Sequence, residues 1–359
     1  FGVTAIATIV APVLGPTLGG FITDDVSWRW IFFLNVPVGA VAAFFVSIMV
    51  EDPPWEKNRR SRGIDYIGLS LITMGLGCLE IMLDRGEDAD WFQSNFICLM
   101  GLLAFLGILG AIGWLLIARK PIVDLSVFAD RNFAGGCVMI GATGGILYAS
   151  AVLIPQFAQT VLLYTATWAG LILSPGGIAV IILIPFVGRL MAVVQIRYLI
   201  AFGFTIIGCA LVYSSTLVPN IDFKTLVLMR TFQTAGLAFL FVPISSIAYM
   251  TLPRELNGDG AALFAMFRNI FGSIGIALGT SQVTERSQVH QSYLAQWTSP
   301  LNQPYQALVA QYEQTLRGLG RVGAAAHDAA VGRVYQVFRT QAAILGYRDV
   351  FFYCAIVAF

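Results

Sequence analysis

Apolar residues in this chain come in blocks of about 20, the length of helix that crosses the hydrocarbon core of a bilayer. The blocks predict spans over Phe1–Ile22, Trp30–Val50, Ile64–Leu83, Phe96–Ile117 and Phe133–Phe157. Four more follow over Trp168–Val194, Tyr198–Val218, Leu226–Leu252 and Ala261–Val283, and a shortened last one begins at Val350. The predicted fold class is therefore all-α, a polytopic membrane helix bundle. Both termini fall inside apolar blocks, as at the ends of a fragment.

The stretch from Thr284 to Arg348 breaks the pattern, being long and polar. After the turn-rich Ser299–Pro304, Leu308, Tyr312, Leu316 and Leu319 recur at helical spacing. One or two amphipathic helices outside the membrane are expected between Tyr305 and Leu345; a solvated loop is the plainer alternative.

Charge sets the orientation. Lys57, Arg59, Arg60, Arg62, Arg119, Lys120, Arg131, Arg189, Arg197 and Arg254 fall in one set of alternating short loops, and Arg29, Arg85 and Lys224 in the other. The richer set faces the cytoplasm, because basic loops resist translocation. The long polar segment then lies outside. Composition agrees with a lipid solvent, at 57% hydrophobic and 11% charged residues. A net charge of +1 with no basic face argues against nucleic acid.

Some functions lack their chemistry here. Cys78, Cys98, Cys137, Cys209 and Cys354 are scattered singly, without metal or disulfide spacing, and read as packing residues. His290 and His327 are isolated in the outer segment and read as bystanders. The sequence shows no nucleophile elbow, zinc-protease motif or phosphate-binding loop, so neither an enzyme nor an ATP-driven pump is expected, and no cofactor or metal.

The first span carries a distinctive pattern. Ala7, Ala11, Gly15 and Gly19 recur every four residues, leaving one face bare enough for a neighbouring backbone. Pro12 and Pro16 bend the helix by removing donors. Charged residues at the edges of spans are the second signal, since each is costly unless paired or hydrated. Glu80 and Asp84 share a helix face beside Arg85. Two neighbouring carboxylates can hold one proton between them, because desolvation and like charge both raise a carboxyl pKa; the alternative is an interfacial Asp84–Arg85 pair snorkelling to water.

Several motifs together resemble a known family. Gly15, Pro16, Gly19 and Gly20 form G-P-x-L-G-G, which resembles the antiporter signature of exporters in the major facilitator superfamily. W-R-W-I-F-F-L-N-V-P-V-G (Trp28–Gly39), I-M-L-D-R-G (Ile81–Gly86) with D-W-F (Asp90–Phe92), and P-I-V-D-L-S-V-F (Pro121–Phe128) are similar to its EmrB-type branch. So are Y-T-A-T-W-A-G-L (Tyr164–Leu171) and F-R-N-I-F-G-S-I-G (Phe267–Gly275). Gly188–Arg197 looks like a degenerate copy of the family's cytoplasmic loop motif.

The resemblance implies a major facilitator fold of fourteen spans, with about ten in this chain, beginning at the fifth. Residues 1–50 would close the N-terminal half as spans five and six, and 51–131 would hold two linking helices and cytoplasmic loops. Residues 132–283 would form spans nine to thirteen of the C-terminal half, 284–348 a long, partly helical periplasmic loop, and 349–359 the truncated last span. Glu80, Asp84 and Arg85 become candidates for proton coupling. Gln156, Gln159, Arg230, Gln233, Phe264, Phe267, Arg268 and Asn269 become candidates for the wall of a central substrate cavity, unless the polar ones simply satisfy one another between helices. The implied function is proton-driven export of amphipathic drugs across the inner membrane, with a periplasmic adaptor and an outer-membrane channel as partners. Export of a siderophore, lipid or metabolite is the alternative on the same fold; a receptor or embedded enzyme is a remote one.

Overall fold

The computed structural model describes residues 15–49, 65–119, 121–299, 301–320 and 323–359. Most of the first expected span, including Ala7, Ala11 and Pro12, lies outside the described residues, as do Lys57, Arg59, Arg60, Arg62 and Lys120. All regular structure described is helical, and among the described residues nine helices are long and apolar enough to cross a membrane.

Residues 15–25 form helix α1. The helices that follow are α2 (Trp30–Met49), α3 (Tyr66–Arg85), α4 (Asn95–Ile117), α5 (Arg131–Thr160), α6 (Ala166–Leu190) and α7 (Ile196–Ser214). The last four are α8 (Phe223–Met250), α9 (Asn257–Ala295), α10 (Gln303–Gly318) and α11 (Ala324–Ala358). Their starts are set by polar side chains that satisfy orphan amides. Asp130 accepts from the backbone N–H of Asn132 and Phe133 to begin α5. Asp65 caps α3 through Gly68 N–H.

Helices α5, α6, α7, α8, α9 and α11 pack on one another as the C-terminal bundle. One continuous core joins them, centred on Phe133, Ile140, Leu153, Phe157, Leu211, Leu240 and Phe351, all essentially inaccessible. Lipid supplies no hydrophobic drive between helices, so close packing and hydrogen bonds hold such a bundle.

Helices α3 and α4 form a hairpin that packs mainly on itself and reaches the bundle through α9. Asp65 clasps its base, accepting also from Trp114 Nε1 at 2.9 Å and Ile122 N–H at 3.3 Å. At its tip, Asp90 and Trp91 adopt positive φ, and a methyl at Gly86 would stand 2.7 Å from the Trp91 ring. The D-R-G and D-W-F motifs are therefore two sides of one turn.

Residues 284–348 are largely helical, as expected for part of them, but the bounds differ. Helix α9 continues through Thr284 to Ala295, and α11 runs unbroken from Ala324 to Ala358, across the boundary expected at 348/349. Neither stretch contains proline, so nothing stops the helix where apolar character ends. The expected amphipathic helix is α10, which seats Val309 against Ala330 and Val334 of α11, with Leu308, Tyr312 and Leu316 beside it. Leu319 falls past its end and is exposed. The two histidines are not bystanders. His290 Nε2 lies 2.8 Å from Asp349, tying α9 to α11, and His327 Nδ1 lies 3.1 Å from Glu313, tying α10 to α11.

Candidate functional site

Two seams carry the residues singled out by the sequence. The first joins α1 to α6, backbone against backbone. A methyl at Gly20 would stand 2.5 Å from the Ala166 carbonyl oxygen, and one at Gly170 2.5 Å from that of Pro16. Only glycine permits these approaches. Thr17 Oγ1 donates to the Gly170 carbonyl at 3.0 Å and pairs with the Ser174 hydroxyl.

At the C-terminal end of α1, Asp24 accepts from the Thr167 backbone N–H at 2.8 Å and from its hydroxyl at 2.6 Å. Its carboxylate thus caps the N-terminus of α6, where the helix dipole favours negative charge. The Thr167 hydroxyl and N–H hold the Asp24 carboxyl below the usual carboxylate range.

The contact face differs from the one expected. Gly15 meets open space and Gly19 only the distant Ile31, whereas Pro16, Thr17, Gly20 and Asp24 meet α6. The bare face read from Ala7, Ala11, Gly15 and Gly19 sits one residue, about 100°, from the described contact. Thr17, Asp24 and Thr167 were missed. Their signal was a hydroxyl and a carboxylate, Thr17 and Asp24, each about one turn from Gly20 on the same side of the helix.

The second seam joins α3 to α9. Glu80 accepts from Ser273 Oγ at 2.9 Å. Glu80, Asp84, Glu87, Asp88 and Gln156 line one cleft of about 410 Å³ with Ser273, Thr280 and Thr284. Arg85 does not line it, and among the described residues it forms no ion pair with either carboxylate. Just past the end of α3, burial acts to raise the Glu87 pKa, but hydrogen bonds from Trp91, Ser281 and Thr284 outweigh it and hold the carboxyl below its ordinary value.

The expected cavity residues divide. Gln156 joins the carboxylates, its Oε1 buried and without a partner, while Asn269 lines an adjoining cleft with Glu80 and Ser273. Phe267 stacks on Phe271 and meets Phe128, and it walls a third, apolar cleft. Phe264 is buried against Tyr249, and Gln159 is exposed near the end of α5. Arg268 is half-buried against Gly144, with its Nε unpartnered.

Arg230 and Gln233 lie elsewhere, inside the bundle. Arg230 donates to Ser150 Oγ at 2.7 Å and to Gln233 Oε1 at 3.3 Å, and Gln233 donates to Ser214 Oγ at 2.9 Å. Neither lines the clefts described, and their hydrogen bonds tie α5, α7 and α8 together. These bonds satisfy Gln233 and one end of the Arg230 guanidinium, while Arg230 Nε is buried and without a hydrogen-bond partner among the described residues.

A family model described as the Major Facilitator Superfamily matches residues 1–276. The chain belongs to the major facilitator superfamily. Among its superfamily relatives, "Multidrug export protein EmrB" of Escherichia coli (strain K12) is 36% identical over 352 residues, covering 98% of this chain and 67% of the relative. The protein of the same name from Haemophilus influenzae is 34% identical over 349 residues, covering 97% of this chain and 66% of the relative. "Fatty acid resistance protein FarB" of Neisseria gonorrhoeae is 31% identical over 316 residues, covering 86% and 61%. The superfamily chain thus spans about two thirds of the length of its EmrB relatives. It is an EmrB-type, multi-pass membrane permease, and the α1–α6 seam is built on its G-P-x-L-G-G motif.

Proposed function

We propose that the permease exports amphipathic compounds across the inner membrane in exchange for protons, its two halves rocking around a central cavity. The sealed seam between α1 and α6 supports this reading. It joins a helix of the N-terminal half to one of the C-terminal half by contacts that have only two sensible states, packed or parted. Asp24 and Thr167 latch its outer end, so parting them opens the outward side. The names of the EmrB relatives agree in cargo.

Glu80 and Asp84 remain the candidates for coupling, now in one cleft with Gln156. The test is substrate-dependent pH change in vesicles carrying the full-length protein. Antiport gives proton entry on adding substrate, and no such signal refutes it. A lipid or fatty-acid cargo is the second reading, favoured by the name of the FarB relative.

The outer helices are proposed to dock a periplasmic adaptor that continues to an outer-membrane channel. Helix α10 offers the surface, because it rests on α11 through one small core and leaves its other face to solvent. Replacing residues 303–318 with a flexible linker should abolish adaptor pull-down; full retention refutes this docking site.

A further inference from the structure

The clefts along the α3–α9 seam run end to end. The first, about 500 Å³, is walled wholly by apolar side chains, among them Leu69, Ile72, Leu115, Ile122 and Phe267. It shares Leu76, Leu79, Met266 and Ile270 with the second, about 560 Å³, where Glu80, Asn269 and Ser273 enter. The second shares Glu80, Ser273 and Ile276 with the third, where Asp84, Glu87, Asp88 and Gln156 complete the wall. At the rise of an α-helix, Leu69 and Glu80 are about 17 Å apart. Along that length the wall changes from hydrocarbon to carboxylate.

We propose that this seam binds a single-chain lipophilic cation, its tail in the apolar cleft and its ammonium group among Glu80, Asp84, Glu87 and Asp88. Charge complementarity selects this occupant. Among the described residues no lysine or arginine lines any of the three clefts, so a fatty-acid carboxylate or a lipid phosphate at the outer end meets carboxylates there without a described cation to pair with. The buried, unpartnered Gln156 Oε1 adds a neutral acceptor beside the carboxylates. Glu87 is half-buried and Glu80, Asp84 and Asp88 are exposed, so the ammonium group meets them at the water-facing end of the seam. Glu87, held ionised by its hydrogen bonds, keeps the outer end negative at neutral pH. The site deepens the export reading by naming a substrate class, and it lies on the flank of the bundle, where the α3–α4 hairpin meets it.

Binding of dodecyltrimethylammonium, dodecyl sulfate and hexyltrimethylammonium to the full-length protein in nanodiscs tests the site without requiring transport. The dodecyl cation should bind at least tenfold tighter than the sulfate and the hexyl cation. Glu80→Gln with Asp84→Asn should weaken it at least tenfold, and Leu76→Trp should block it. Asp88→Lys, at an exposed position that tolerates change, should narrow or reverse the preference for cation over sulfate and guards against misfolding of the first two variants. Equal binding of cation and sulfate overturns the proposal. So does unchanged cation affinity in the carboxylate variants, a phospholipid retained in the seam by native mass spectrometry, or no binding of any probe because another part of the full-length protein fills it. Loss of substrate-dependent pH change with binding intact sinks the export reading and leaves the site standing.

Discussion

The α1–α6 and α3–α9 seams both attach neighbouring helices to the C-terminal bundle, yet they are built oppositely. In the first, backbones touch through glycine, and every polar group named above has a partner across the interface. In the second, Ser273 donates to Glu80 and, just past the end of α3, Ser281 and Thr284 bond Glu87, while the rest of the interface is left as clefts. A packed interface of small residues switches between two states, because there is no intermediate separation at which its contacts are half made. A loose interface lined by large side chains accommodates guests instead. The contrast separates a gate from a binding wall.

The harshest way to break the contrast is to add volume to the sealed side. Gly170→Val places its Cβ 2.5 Å from the Pro16 carbonyl oxygen, where backbone must move. Overpacking of this kind costs about 1–3 kcal/mol, which shifts a two-state equilibrium by about fivefold to 150-fold. Spin labels at Thr23 and Tyr164 in the full-length protein should show the outer ends parted, and transport should fall by at least tenfold. An unchanged distance would show that the seam is not a gate.

Asp24→Asn should act in the same direction and less strongly, since a neutral amide still accepts from Thr167 but loses the attraction to the helix end. Its pH behaviour sharpens the comparison. The carboxyl is depressed below its ordinary value of 3.8 in the closed arrangement, so its contribution is present in full above that value and is lost as pH falls through the depressed one. Between about pH 5 and 8 the latch does not titrate. The variant should therefore shift the closed population equally across that range, by the same label measurement. A shift that vanishes toward pH 5 would make Asp24 a proton carrier instead of a latch.

Substitution on the open side should act differently. Glu80→Gln with Asp84→Asn leaves the outer latch intact, so the label distance should stay unchanged. The pH dependence of export should flatten if these carboxylates take part in coupling. Unchanged rates and stoichiometry from pH 6 to 8 would remove both from the mechanism.

The sequence revealed solvent and breakers better than it revealed facing. Block length located the spans, because lipid exposure is written in composition. The helical spacing of Leu308, Tyr312 and Leu316 located α10. The ends of α9 and α11 were missed because the apolar character stops before the helix does, and no proline marks an end there. The contact face of α1 was misread by one residue, because small side chains mark several faces at once. Arg230 and Gln233 read as cavity residues because their partners, Ser150 and Ser214, are on other helices, 80 and 19 positions away in the chain. No periodicity encodes that pairing. The meeting of Gln156 with Glu80 and Asp84 was illegible for the same reason.

Ser273→Ala is the mildest change and the sharpest test of how loosely the second seam is held. It deletes the one described side-chain hydrogen bond between α3 and α9 and leaves Glu80 at an exposed position, able to turn to water. A carboxylate that regains hydration loses little, so thermal stability of the full-length protein should change by less than about 1 kcal/mol. Without that bond the hairpin keeps the Glu87 bonds to Ser281 and Thr284 at its tip and the walls of an unfilled cleft, and its hydrogen exchange over 66–85 should rise while that of α5 and α8 stays fixed. A filled cleft changes the expectation. Dodecyltrimethylammonium should restore protection of α3 in Ser273→Ala, because the guest then bridges hairpin and bundle. Restoration by dodecyl sulfate to the same degree would show that the hydrocarbon tail alone closes the seam and that its carboxylates select nothing.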